Sequence, residues 1–198
     1  MKKLIIISLF VLVGNAAFGA SGVYVKFNAP LFSYVETQQK LKYYVFNLEF
    51  SRASSSEEVS FLSGSGLSIG YDFNDVFAAE ASYSRTKIDS PSSWGTLGYK
   101  TARNVFELTG ITRVVSYKSF DFNVVGSAGY INYYGPSYNM NGFSFGIGAQ
   151  AEYNLSENAA LALDIRYLHS NEESDKDWIA VDRKANGAQL SASLKYRF

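Results

Sequence analysis

The chain has 198 residues, 18 basic and 18 acidic side chains, one His and no Cys, a balance that excludes a basic nucleic-acid binder and a fold held by disulfides. Mean hydropathy of −0.07 is too low for a bundle of helical membrane spans, each about 20 apolar residues long, and too high for a disordered chain. The 15 Tyr, 15 Phe and 16 Gly, with only 18% charged residues, leave a soluble β-sandwich or a barrel with one face in lipid and one in water.

Lys2 and Lys3 precede an apolar run from Leu4 to Val13, followed by Gly14, Ala16, Ala17, Gly19 and Ala20. A charged start, an apolar core too short to span a bilayer and a run of small residues form a secretory signal. Cleavage after Gly19 puts small Ala17 at the −3 position. The expected division is therefore a removed signal over 1–19 and one domain over 20–198. No Cys follows the core, so a lipoprotein anchor is excluded.

Beyond the signal the recurring pattern is two-residue alternation, the mark of a strand with two unlike faces. Val23, Val25 and Phe27 alternate with Tyr24 and Lys26. The segment Leu41–Phe50 also alternates, through Tyr44, Phe46, Leu48 and Phe50. It is either an extra strand or an extension of the wall above the membrane. Ser51–Ser60 is a poor strand candidate, so eight strands are preferred to ten. Leu67 to Phe73 and Phe77 to Tyr83 follow, with Ser68, Gly70, Asp72, Glu80 and Ser82 on their polar faces. Phe106 to Val114 places Glu107 and Arg113 opposite Phe106 and Leu108, and Phe120 to Tyr130 sets Asp121 and Asn123 against Phe122 and Val124. The clearest case runs from Phe143 to Tyr153, with Gln150 and Glu152 on its polar face. Leu161, Leu163, Ile165 and Tyr167 oppose Asp164 and Arg166. The last segment sets Leu190, Leu194, Tyr196 and Phe198 against Lys195 and Arg197.

Connections near 74–75, 118–119 and 154–158 are short, whereas those over 29–64, 86–102, 132–141 and 169–186 are long. Short turns at one end and long loops at the other are the signature of an outer-membrane barrel. The predicted fold is all-β: an eight-stranded antiparallel transmembrane barrel, an up-and-down meander with short periplasmic turns and long extracellular loops. Aromatics near strand ends supply its interfacial girdles.

The terminal segment with Leu190, Leu194, Tyr196 and Phe198 resembles the last strand of Gram-negative outer-membrane barrels, which the barrel assembly machinery reads. Gly70-Tyr71-Asp72-Phe73-Asn74-Asp75, Glu80-Ala81-Ser82-Tyr83 and Asp164-Ile165-Arg166-Tyr167 resemble the small opacity-type and attachment-invasion-type surface proteins. The resemblance covers roughly 66–198. It implies eight strands, an outer-membrane location among lipid and lipopolysaccharide, and surface loops used for adhesion or serum resistance.

Inward positions carry Lys26, Glu80, Glu107, Arg113, Glu152, Asp164, Arg166, Lys195 and Arg197. A barrel of this strand number has room only for its own side chains, and an unpaired buried charge is costly. The expected interior is therefore plugged by an ion-pair network, with a narrow channel as the competing reading. Tyr43, Tyr44, Trp94, Tyr133, Tyr134 and Tyr138 lie in the predicted loops as a candidate binding surface, since Tyr gives rigid amphipathic contact area. Girdle or strand-end rings are the alternative role for such residues.

Catalysis has one candidate. His169-Ser170-Asn171 is similar to the His-x-Ser-Asn stretch of lipid A deacylase barrels, but here His169 and Ser170 are adjacent and should point to opposite faces. A non-enzyme is expected, with a deacylase-like hydrolase as the alternative. No cofactor or metal is expected: the acids at Glu172, Glu173, Asp175, Asp177 and Asp182 match no calcium-loop spacing. The expected state is a monomer without nucleic acid.

Overall fold

A computed structural model describes residues 22–45, 48–61, 63–89, 100–134, 139–176 and 179–198. The predicted signal over 1–19 lies outside them. The chain forms β1 (Val23–Val45), β2 (Leu48–Phe61), β3 (Ser63–Asp72), β4 (Phe77–Asp89), β5 (Lys100–Tyr117), β6 (Phe120–Tyr134), β7 (Asn139–Asn154), β8 (Ala159–Lys176) and β9 (Ile179–Arg197). All pairings are antiparallel, and β1 also pairs with β9, which closes the sheet into a ring.

Nine strands make an eight-place wall. β1 pairs with β3 over Val23–Asn28 and with β2 over Phe32–Val45. β9 occupies the other edge of β1 along most of its length. β2 and β3 therefore follow one another along the same edge of β1. Where they meet, the β1–β9 register shifts between Pro30 and Phe32. A proline cannot donate to a ladder and is expected at such an irregularity.

Alternation decides which face meets lipid. Leu108, Phe143, Ile147 and Leu163 point outward and stay half or more exposed, while Ser68, Glu80, Thr109, Gln150 and Asp164 point inward and are buried. This inverts a soluble core: the apolar shell is offered to hydrocarbon, and outside the register shifts the membrane-crossing strands pair with neighbours on both sides. Outward aromatics meet near the turns, across strands in Phe120–Tyr153 at 4.8 Å and along one strand end in Tyr71–Phe73, edge to face at 5.1 Å.

The three short turns are chemically specified. Asn74 Oδ1 accepts from the amides of Val76 and Phe77, both at 2.8 Å, an Asx turn that closes β3 onto β4. Lys118 takes a left-handed φ of 55° in the two-residue turn between Tyr117 and Phe120. Ser156 Oγ accepts from the Ala159 amide at 3.1 Å between β7 and β8.

The long connections are a correction. Most of 29–64 and 169–186 is strand, because β1 runs on to Val45, β2 starts at Leu48, β8 runs to Lys176 and β9 starts at Ile179. Ser51–Ser60, judged a poor strand candidate, lies in β2 and pairs residue by residue with β1. Leu41–Val45 and Leu48–Phe50 are the two arms of that hairpin, so the segment extends the wall and adds no further crossing. Beyond the bilayer both faces of a strand meet water, and neither needs an apolar stripe. The backbone ladder continues the pairing without an apolar stripe, and period-two alternation disappears from the sequence. A membrane crossing takes about 9–11 residues, so the 23 residues of β1 stand far beyond it.

Candidate functional site in the barrel interior

The interior is layered. At the periplasmic end Lys195 Nζ lies 3.5 Å from Asp72 and 3.6 Å from Glu152, and Arg197 pairs with the same two acids, at 3.5 Å to Asp72. Arg197 also donates to Asn154 Oδ1 at 3.1 Å. Arg113 sits at a register shift between Arg113 and Val115, donates to the Asp75 carbonyl at 2.8 Å and lies 3.6 Å from Asp121. Asp121 accepts further bonds from Ser116 at 2.6 Å and Asn154 at 2.9 Å.

Above this layer Lys26 Nζ donates to Glu80 Oε1 at 2.6 Å, and the Tyr24 hydroxyl donates to the same oxygen at 3.0 Å. The Tyr24 ring also carries Lys195 Nζ at 3.7 Å on its face, a cation–π contact. The third group centres on Arg166. Its Nε and Nη2 grip the Asp164 carboxylate at 2.7 and 3.0 Å, and Nη1 reaches Glu107 at 3.0 Å. Gly148 stands beside it in register on β7. A Cβ there would come within 2.9 Å of Arg166 Cγ, so the glycine leaves the guanidinium stem its path.

Between these ion pairs and the outer mouth lies a cavity of about 80 Å³, lined by Lys26, Glu80, Glu107, Arg166 and a run of hydroxyl and amide side chains. It is polar and large enough to hold water. Beyond it the interior changes character. Ile131, Tyr133 and Met140 form a buried apolar cluster, with Val105 packed against it. Beside it Glu172 is buried; it accepts from Ser170 at 2.7 Å and from the Tyr133 hydroxyl at 3.5 Å, and lies 3.5 Å from Arg183.

All nine inward charges named from the sequence lie on the interior side of the wall and take part in these contacts. Their partners Tyr24, Asp72 and Asp121 occupy polar-face positions of the same alternation but are not among those nine charges. Glu172 and Arg183 lie in the segment 169–186, which has no apolar alternation and reads as a loop, and Arg103 lies between the expected loop over 86–102 and the first alternating residue, Phe106.

Leu194, Tyr196 and Phe198 face outward and Leu190 is half-buried. Tyr196 and Phe198 meet edge to face at 5.4 Å. Of the loop aromatics, Tyr43 and Tyr44 fall at the outer end of β1 and Tyr134 at the outer end of β6. Trp94 and Tyr138 lie outside the described residues. Tyr133 is a correction: it is 6% exposed, with its ring turned into the barrel. β6 continues without a break to Tyr134, so the parity that buries Val125 and Ile131 buries Tyr133 too. His169 and Ser170 lie on opposite faces of β8, which does not fray there. His169 Nδ1 meets Asn186 Oδ1 at 2.6 Å, while the Ser170 hydroxyl is spent inside on Glu172.

No curated protein matches the chain. Among solved structures, Neisserial surface protein A is 16% identical, covering 91% of this chain and 99% of that one at a TM-score of 0.55. The outer membrane protein OprG from Pseudomonas aeruginosa is 13% identical, covering 90% and 96% at a TM-score of 0.60. At these identities the likeness establishes the fold. The family model of the outer membrane protein β-barrel domain matches residues 5–198, and the chain belongs to that family.

Proposed function

We propose that the chain is a sealed outer-membrane barrel whose role is to display its outer hairpins for binding, as an adhesin or a receptor for a host factor. The supporting observation is the combination of an interior lined by paired side chains with strands much longer than a membrane crossing needs. An ion-paired interior rigidifies the wall. The extended β1–β2 and β8–β9 hairpins carry the exposed residues outward, where polar and aromatic side chains suit protein recognition. The reading includes export by a cleaved signal at 1–19, insertion by the barrel assembly machinery through the strand bearing Leu190, Leu194, Tyr196 and Phe198, and a monomer seated among lipid and lipopolysaccharide. The hydrolase reading loses support from His169 and Ser170, because a nucleophile must share a face with its base.

The test replaces residues 36–57 and 172–183 in turn by short turns in cells that express the chain. Attachment and serum survival should fall while the barrel still inserts. Unchanged attachment and survival with both hairpins shortened would refute the binding role. Discrete conductance steps from the unmodified chain in a planar bilayer would refute the seal.

A further inference from the structure

We infer that the seal is made at one place, by the Tyr133 ring lying across the outer part of the interior, and that the rest of the interior is a polar route which this ring keeps closed. The inference rests on the sealed reading above.

Tyr133 starts on β6, yet its hydroxyl approaches Glu172 on β8 at 3.5 Å and its ring lies 5.3 Å from the Arg183 guanidinium on β9. The side chain therefore reaches past β7. Arg103 of β5 stands 6.0 Å from the ring centre. Arg183 continues the line to Thr37 of β1 at 3.4 Å. One ring, with two guanidinium groups near it, thus links side chains from β5 round to β1. Ile131 and Met140 pack with it, and all three are nearly solvent-free.

The periplasmic side is different. A water-sized space of about 10 Å³ is lined by Asp72, Glu152 and Lys195. Lys195 touches the Tyr24 ring, Tyr24 bonds Glu80, and Glu80 and Lys26 line the central cavity. From the mouth to the cavity polar groups follow one another around the fully buried Tyr24 ring. Charged constrictions of this kind wet, whereas apolar ones close by dewetting. The Tyr133 layer is the one that carries an apolar cluster, Ile131 and Met140 against the ring, beside Arg103, Arg183 and Glu172.

The experiment is single-channel recording in planar bilayers on folded protein, with folding checked by the heat-dependent shift in gel mobility. The unmodified chain and Tyr133→Phe, which keeps the ring, should be silent. Tyr133→Ala should show discrete steps. Because the chain has no Cys, Tyr133→Cys offers an independent variant: it should conduct, and benzyl methanethiosulfonate, which transfers its benzylthio group to the thiolate with methanesulfinate leaving, should abolish the conductance. Arg166→Ala should remain silent, since the Tyr133 layer still closes. Folded but silent Tyr133→Ala and Tyr133→Cys would overturn the assignment while leaving the sealed reading intact. Conductance in Arg166→Ala equal to that in Tyr133→Ala would move the seal to the ion pairs and overturn it as well. Conductance in the unmodified chain would overturn both readings.

Discussion

Tyr24 and Glu80 meet across a glycine. Tyr24 on β1, Gly70 on β3 and Glu80 on β4 are in one register row. The Tyr24 ring crosses the space that a side chain at position 70 would fill, since a Cβ there would come within 2.2 Å of Cζ. That passage lets the hydroxyl reach Glu80 at 3.0 Å. Gly70→Ala should therefore displace the ring and break the bond. Overpacking of this kind costs about 1–3 kcal/mol. A urea midpoint for lipid-reconstituted Gly70→Ala equal to that of the parent would contradict the geometry.

The Lys26–Glu80 pair is buried on both sides, with side chains 3% exposed. Removing one partner leaves a buried charge unmatched, which costs about 3–5 kcal/mol. Glu80→Gln should be strongly destabilised, and Lys26→Met in the same chain should recover much of the loss. A double-mutant cycle on unfolding free energy measures the coupling. Additive effects of the two substitutions would show that the pair does not act as a unit.

Arg166 holds Asp164 with two parallel bonds while reaching Glu107. A lysine ammonium lacks the planar fork that makes this possible. Arg166→Lys should thus lose stability although the charge is kept, by about 1–3 kcal/mol for the lost charge-assisted bonds. Equal midpoints for the parent and the Arg166→Lys variant in denaturant titration would mean that charge alone suffices.

The assignment of faces is testable at Leu108 and its neighbour in sequence. Leu108 points outward and is 68% exposed, whereas Thr109 points inward and is 3% exposed. An arginine facing the bilayer midplane costs about 2–4 kcal/mol. Leu108→Arg should unfold at lower urea than the parent in lipid vesicles, while Lys118→Arg in the periplasmic turn should not. An undisturbed Leu108→Arg protein would place that face outside the hydrocarbon.

The membrane-crossing half of the molecule was legible because lipid and the polar interior act on alternate residues. That pressure writes itself as alternation from Phe143 to Tyr153 and from Ala188 to Phe198, and it ceases once a strand leaves the bilayer. Hence β2 and the outer arms of β8 and β9 looked like loops, although the same backbone ladder continues through them. The inward charges followed from parity. Their pairing did not, since Asp72 meets Lys195 and Arg197 and Arg166 meets Glu107, 59 positions away, only after the sheet closes.

By itself, then, the sequence determined the strand faces, the short turns and the family of fold, because each depends on residues close together in the chain. The closed ring decided the rest. It split β2 from β3 along one edge of β1, gave each interior charge its partner, and turned Tyr133 from an apparent loop aromatic into a ring lying across the barrel. These are contacts between side chains of separate strands, and only the curvature that brings β9 back to β1 sets their distances.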